Sequence, residues 1–276
     1  MRPTLAFVTL VVTLLAPLTA LASSCFAFVD GVPGIRYAQL QAEIVSDGTP
    51  GPLTSTEPAV TIQYVGHSTF RITSPEGLSV NTDYFGMNGP GGVPDVVTMN
   101  RAHETHYTDF PDPEIRYVLR GWQSLDGTVP AVHDLEIEDL RVRNVTTDIR
   151  SWGELGRDGN SIFVFEVAGL CIGHLGHLHH VPTEQQYAAL GRMDILMVPV
   201  DGSFTMSVSE MTQVANRLKS SIVLPMHYFG RATLERFLAG MSAEFALDLD
   251  AGDRLEVAID TLPPRPTVML LAPRPR

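Results

Sequence analysis

From residue 60 onward the chain alternates short apolar runs with turn-forming clusters, and its period changes from that of strands to that of helices and back. Val60-Thr-Ile-Gln-Tyr-Val65 alternates apolar and polar residues, the period of a half-buried strand. Gly66-His67-Ser68 supplies a turn, Thr69–Ile72 a second strand, and Ser74-Pro-Glu-Gly77 a hairpin connection into a third strand over Leu78–Thr82. Val93–Met99 is an apolar-rich run of the kind a strand covered on both faces carries. Further strand patterns fall at Glu114–Leu119, Leu135–Val145, Ser161–Val167 and Leu170–Ile172, the last two joined as a hairpin through Ala168-Gly169.

After Thr183 the period becomes helical. Thr183 with Gln186, and Ser207 with Glu210, each form the Ser/Thr-x-x-Glu/Gln signature of a capping box. The first helix is expected to run to about Leu190. The second places Val208, Met211, Ala215 and Leu218 on one face, and a third covers Arg231–Met241. Apolar strands lie between them at Met193–Val200 and Ser221–Leu224, and short strands near Arg254–Ile259 and Thr267–Leu271 close the pattern. No linker divides this stretch and no repeat occurs in it. Residues 58–272 are therefore expected to form one α/β domain of two packed sheets flanked by helices.

The first 22 residues have a different character. Arg2 precedes a charge-free apolar run over Leu5–Leu21, and Ala20-Leu-Ala22 has the form of a signal-peptidase site. The run is short for a membrane span and has no basic flank on its far side. An exported protein, periplasmic or secreted, is expected, with no stable membrane span once the signal peptide (1–22) is removed. Residues 23–57, rich in Gly, Pro, Ser and Thr, are expected to form a flexible arm.

Composition narrows the partners. Of 276 residues 44% are hydrophobic and 18% charged, enough for a sizeable core, and the net charge is −12. Such an acidic chain, with Lys219 as its one lysine, is unsuited to nucleic acid or to anionic membranes. A small-molecule substrate is the remaining class, and oligomeric state is not legible. Export would permit a bridge between the two cysteines, Cys25 and Cys171. The apolar strand around Cys171 and the irregular terminus around Cys25 favour instead one buried thiol and one terminal thiol.

The histidines carry the candidate chemistry. Four of the nine, His174, His177, His179 and His180, fall between a strand end and a helix start, where α/β proteins build sites. His103 and His106 follow the strand at Val93–Met99, Asp201 follows Met193–Val200, and His227 follows Ser221–Leu224. A lone histidine at a strand end is more often a packing residue, but three strand ends bearing histidines point to a metal. Zinc needs three or four such ligands, and water bound to it loses a proton near neutral pH.

The order of these motifs resembles the metallo-β-lactamase superfamily, and within it the branch similar to ascorbate-phosphate lactonases. Tyr64-Val-Gly-His-Ser-Thr-Phe70 looks like the opening hairpin, and Asp83 like the strand-end Asp that supports the site. Gly173-His-Leu-Gly-His177 looks like the His-x-Gly-Asp turn, and Asp194–Gly202 and Leu224-Pro-Met-His-Tyr228 like the closing blocks. The resemblance covers Val60–Phe229. It implies a four-layer αββα sandwich with metal at one edge, and a metal-dependent hydrolase whose activated water attacks an ester, lactone or phosphoester.

The departures from that pattern change the expected site. The His-x-His-x-Asp-His motif reads Arg101-Ala-His103-Glu-Thr105-His106, the bridging Asp is His177, and no histidine falls at Val145–Ile149. A binuclear site cannot form unchanged. One ion is expected near His103, His106, His177 and His227, zinc first, with iron and manganese open. Arg101 is expected to turn away or bind an anionic substrate group, Asp148 to stand in for the missing histidine, and His174 to sit behind the ligands. His67 is expected to be structural, His133 to be a surface-loop histidine, and His179 and His180 to be peripheral to the ligands or solvated. No general base can be named. The alternative is a catalytically inactive metal- or ligand-binding protein on the same fold.

Overall fold

The computed structural model describes Cys25, Ser55 and residues 57–122, 129–151 and 154–273. The expected signal peptide and nearly all of the expected arm lie outside the described residues. Among the described residues two sheets are built from fourteen strands. The first contains β1 (Val60–Gly66), β2 (Thr69–Thr73), β3 (Ser79–Asn81), β4 (Val96–Met99), β5 (Tyr117–Arg120) and β13 (Arg254–Val257). The second contains β6 (Asp134–Ile137), β7 (Leu140–Ser151), β8 (Glu154–Val167), β9 (Leu170–His174), β10 (Ile195–Pro199), β11 (Ile222–Met226), β12 (Ala246–Asp248) and β14 (Thr267–Met269). Their orders are β13-β1-β2-β3-β4-β5 and β12-β14-β11-β10-β9-β8-β7-β6. The helices are α1 (Glu184–Leu190), α2 (Val208–Leu218) and α3 (Arg231–Met241), and both capping boxes form as the sequence requires.

Side-chain alternation along the strands sets the layers. Phe163 and Phe165 of β8 face the first sheet and pack with Phe70, Ile72, Ile172 and Met197. Their neighbours Ile162 and Val164 face the other way, into a second core with Met211, Val214, Phe237 and Met241 of the helices. A strand covered on both faces needs apolar residues at every position, which is why Ile162–Phe165 of β8 and all of β10 are continuous hydrophobic runs. The outer face of the first sheet buries Tyr84, Val97, Met99 and Ile115 beneath irregular chain that includes Tyr107 and Trp122. The two packed sheets with helices outside are consistent with an αββα sandwich. Among the described residues its three helices cover the second sheet, and loops cover the first.

Three local features differ from expectation. The stretch expected as one strand over Leu135–Val145 turns at Glu138, which adopts φ 47°, and becomes the β6–β7 hairpin. Strands β7 and β8 extend as a ladder to Ser151 and Glu154, with an irregularity between Thr147 and Ile149. This polar extension carries little apolar alternation, so backbone pairing rather than side-chain pattern defines it. Finally, Cys25 and Cys171 form a disulfide across a sequence separation of 146, which overturns the expectation of two free thiols. Both cysteines are buried, and the Arg192 amide donates to the Cys25 carbonyl at 2.9 Å, docking Cys25 beside β9. An apolar strand suits a half-cystine as well as a thiol, so the surroundings of Cys171 did not distinguish the two.

Candidate metal centre

The centre lies where β4, β9, β10 and β11 release their chains. After β4 a tight turn, closed by His106 N–H donating to the His103 carbonyl at 2.9 Å, brings both rings to one side. Asn100 holds this turn in place. Its amide donates to Asp83 Oδ1 at 2.8 Å, and its oxygen accepts from Ser161 N–H at 2.7 Å. After β9 the chain passes Gly176 at φ 60°, where a Cβ would collide with Asn100 Nδ2 and Asn160 Oδ1. The next amide, of His177, donates to Asn160 Oδ1 at 2.7 Å. After β11, His227 sits at φ 54° with its amide donating to the His67 carbonyl at 3.0 Å. His67 and Asp83 also have positive φ. Non-glycine residues in this region cost about 1–3 kcal/mol each and concentrate at functional sites.

One ring nitrogen from each of His103, His106, His177 and His227 lies within 4.8 Å of the others. His103 Nε2 and His177 Nε2 are 3.1 Å apart. His106 Nδ1 faces Asp83 Oδ2 at 2.5 Å, and His227 Nδ1 faces Asp201 Oδ2 at 2.9 Å. A carboxylate accepts, so each Nδ1 carries the proton and each Nε2 keeps a lone pair. Those two Nε2 atoms are buried and have no hydrogen-bond partner. Buried acceptors without a donor are costly in a native interior unless a cation completes them. A set of neutral imidazole nitrogens backed by carboxylates fits a zinc-like ion.

Burial and mutual repulsion favour the neutral form of three of these rings. Burial, and then the neighbouring imidazoles, push His106 and His177 well below the ordinary histidine value, and burial lowers His103. Burial takes His67 and His179 down to about 4. Burial also pushes the Asp201 carboxyl up, but hydrogen bonds from His227, Thr205 and the Ser203 and Thr205 amides outweigh it and hold the group below the usual carboxylate range. Asp83 is raised by burial, only partly offset by His174 and Asn100.

The remaining expected residues are placed as follows. Arg101 is half-buried, and its amide bonds the Gly159 carbonyl at 3.3 Å. Asp148 sits at the β7 irregularity, its Oδ1 accepting from the Asp158 amide at 3.0 Å, and is not part of the four-histidine group. His174 is fully buried, with Nε2 donating to the Ser68 carbonyl at 2.8 Å and Nδ1 accepting from the Gly176 amide at 3.1 Å. It ties the end of β9 to the β1–β2 turn. His133 is half-buried, stacks on Phe163 and bonds the Arg120 carbonyl at 2.7 Å.

Two histidines matter more than the sequence suggested. His67 packs its ring 4.3 Å from that of His227, and its Nε2 lies 2.9 Å from Thr105 Oγ1, which in turn is 2.7 Å from His103 Nδ1. His179 Nε2 lies 2.6 Å from His177 Nδ1. The i, i+2 spacing of His177 and His179 was the available signal for the second contact. For His67 only its place in the opening hairpin hinted at the first. Exposed Phe229 lies 5.2 Å from the His227 ring and 5.6 Å from that of exposed Phe204, so this side of the centre is apolar.

Comparison with known proteins places this centre in a family. The beta-lactamase superfamily domain matches residues 61–227, more than half of the chain. The chain belongs to that superfamily. A UPF0173 metal-dependent hydrolase of Methanosphaera stadtmanae is 26% identical over 194 residues, covering 60% of this chain and 83% of the relative. One from Thermoplasma acidophilum is 28% identical over 167 residues, covering 53% and 72%. A Thermotoga maritima structure described as a candidate Zn-dependent hydrolase of the metallo-beta-lactamase superfamily superposes with TM-score 0.58 at 25% identity, over 77% of this chain and 98% of that one. The metallo-beta-lactamase fold protein YhfI of Bacillus subtilis shares the fold, with TM-score 0.51 at 10% identity over 79% and 98% of the two chains.

Proposed function

We propose that this chain is an exported metal-dependent hydrolase that holds a single ion, zinc in the first instance, among His103, His106, His177 and His227, and cleaves an ester, lactone or phosphoester. The observation that carries this reading is the pair of buried, unpartnered Nε2 atoms on His106 and His227, each ring backed by a carboxylate. An ion bound there would polarise a carbonyl or phosphoryl oxygen and make water acidic enough to attack near neutral pH. Asp83 and Asp201 orient the rings, and burial excludes bulk water from three of the four. Phe204 and Phe229 offer an apolar wall to a substituent of a small-molecule substrate. Arg101, on the same turn as His103, suits an anionic substrate group. The names of the relatives, metal-dependent hydrolases, support the reaction class.

Export is supported by the Cys25–Cys171 disulfide, since such bonds persist in oxidising compartments, and by the signal-like residues 1–22. The net charge of −12 speaks against nucleic acid as a partner.

One observation favours a second reading, a binding protein without catalysis. The four-residue metal group contains no carboxylate, so no general base stands within it. The test is a panel of esters, lactones and phosphodiesters offered to the zinc-loaded mature chain and to His227→Ala. Hydrolysis lost in the variant supports the enzyme. Metal binding with no turnover of any member favours the binding protein.

A further inference from the structure

We infer that His177 does not ligate the ion but presents an Nε2–H to the oxygen ligand bound beside it, and that His179 fixes this role by setting the His177 tautomer. The inference rests on the metal reading above and refines it.

The direction of one hydrogen bond starts the argument. A backbone amide can only donate, and the Arg150 amide lies 2.9 Å from His179 Nδ1. A neutral imidazole has one protonated nitrogen and one bare nitrogen. His179 Nδ1 is therefore bare and its Nε2 carries the proton. That Nε2 is 2.6 Å from His177 Nδ1, so His177 Nδ1 accepts and the His177 proton sits on Nε2. The opposite assignment would set two hydrogens against each other between Arg150 and His179.

The same logic continues along the line. His177 Nε2–H donates to His103 Nε2 at 3.1 Å. His103 then keeps its proton on Nδ1, which donates to Thr105 Oγ1 at 2.7 Å, and the Thr105 hydroxyl donates to His67 Nε2 at 2.9 Å. Every link has one donor and one acceptor. Within the four-histidine group, three Nε2 atoms have lone pairs, those of His103, His106 and His227. The fourth, on His177, has a hydrogen. Thr105 thus supports His103 as Asp83 supports His106.

Three imidazoles with a fourth position left for water or substrate is the arrangement of catalytic zinc sites. Once the His103 lone pair is given to an ion, the His177 N–H loses its acceptor and turns to an oxygen ligand. At the position where the resembling family carries a carboxylate, this chain carries a hydrogen-bond donor. A donor stabilises negative charge developing on a substrate oxygen, and one such group is worth about 10²–10³ in rate. His179 is a positioning residue in this scheme.

The test is long-range proton–nitrogen NMR on the mature chain labelled with ¹⁵N-histidine, metal-free and with one equivalent of zinc, the His177 signals being assigned with His177→Gln. The inference expects His177 to keep a protonated Nε2 and a bare Nδ1 in both states, while zinc shifts Nε2 of His103, His106 and His227. A protonated Nδ1 on His177, or a zinc-induced shift of its Nε2, overturns it. In chelator competition, His177→Gln should weaken zinc by less than about tenfold and His227→Ala by about a hundredfold or more. Equal losses in the two variants also overturn the inference. His179→Ala should let the His177 tautomers mix, and His179→Gln, whose amide can donate, should restore the single form. Wild-type protein that takes up no zinc defeats the metal reading, while the metal-free spectrum still decides the tautomer.

Discussion

His106 Nδ1 and Asp83 Oδ2 lie 2.5 Å apart with both side chains fully buried, on two segments that Asn100 ties together. The pair fixes which nitrogen of His106 faces the centre, and Asp201 does the same for His227. Asp83→Asn and Asp201→Asn are each expected to weaken zinc binding by about 10–100-fold, measured by chelator competition, with the fold retained by circular dichroism. Unchanged affinity in both would mean that the carboxylates do not orient the ligands.

Stability of the metal-free protein should fall in acid well before ordinary carboxylates titrate. Burial lowers His67, His103, His106, His174, His177 and His179, two of them to about 4. Below the ordinary imidazole value of about 6.5 the unfolded chain binds protons that the folded chain refuses. The stabilisation is therefore whole above that pH and is lost progressively as the pH falls, the share of His67 and His179 by about 4. Asp83, raised by burial, opposes this in part. Urea unfolding between pH 7.5 and pH 4.5, taken as approximate working limits, should show the midpoint dropping with pH. A flat profile would contradict the burial of neutral rings.

Reduction of the Cys25–Cys171 bridge, or the double variant Cys25→Ser with Cys171→Ser, should lower stability by roughly 2–4 kcal/mol. The bridge ties Cys25 to the start of β9, whereas His177 follows the end of that strand, so zinc stoichiometry should not change. Thermal melts with and without reductant, alongside metal analysis, check both parts.

Gly176→Ala should damage the centre without touching a ligand. Gly176 holds φ 60°, and a Cβ would meet the amides of Asn100 and Asn160, which position the His103–His106 turn and the His177 amide. A loss of about 1–3 kcal/mol in stability is expected, with weaker zinc binding. Wild-type behaviour would show that this turn has slack.

Most of the fold was legible because its strands obey simple periods. The fully covered β10 and the Ile162–Phe165 part of β8 are apolar at successive positions, the half-covered β1 alternates, and Thr183 and Ser207 mark their helices by capping chemistry. The four histidines that the fold brings together were legible because each follows a strand end. What escaped was set by contacts across the fold. The β7–β8 extension rests on backbone pairing, which polar side chains do not announce. The disulfide needed the position of Cys25 in space. The roles of His67 and His179 depend on Thr105 and on the Arg150 amide, more than thirty-five and close to thirty positions away respectively. Asp148, expected to replace a missing histidine, is instead engaged with the Asp158 amide at a strand irregularity.

The central claim is one ion held by these histidines, and elemental analysis of the untagged mature protein tests it most directly. About one zinc per chain is expected in the wild type, lost in both His106→Ala and His227→Ala while each variant stays folded. Two ions per chain, or none after loading with zinc, iron and manganese in turn, would contradict it.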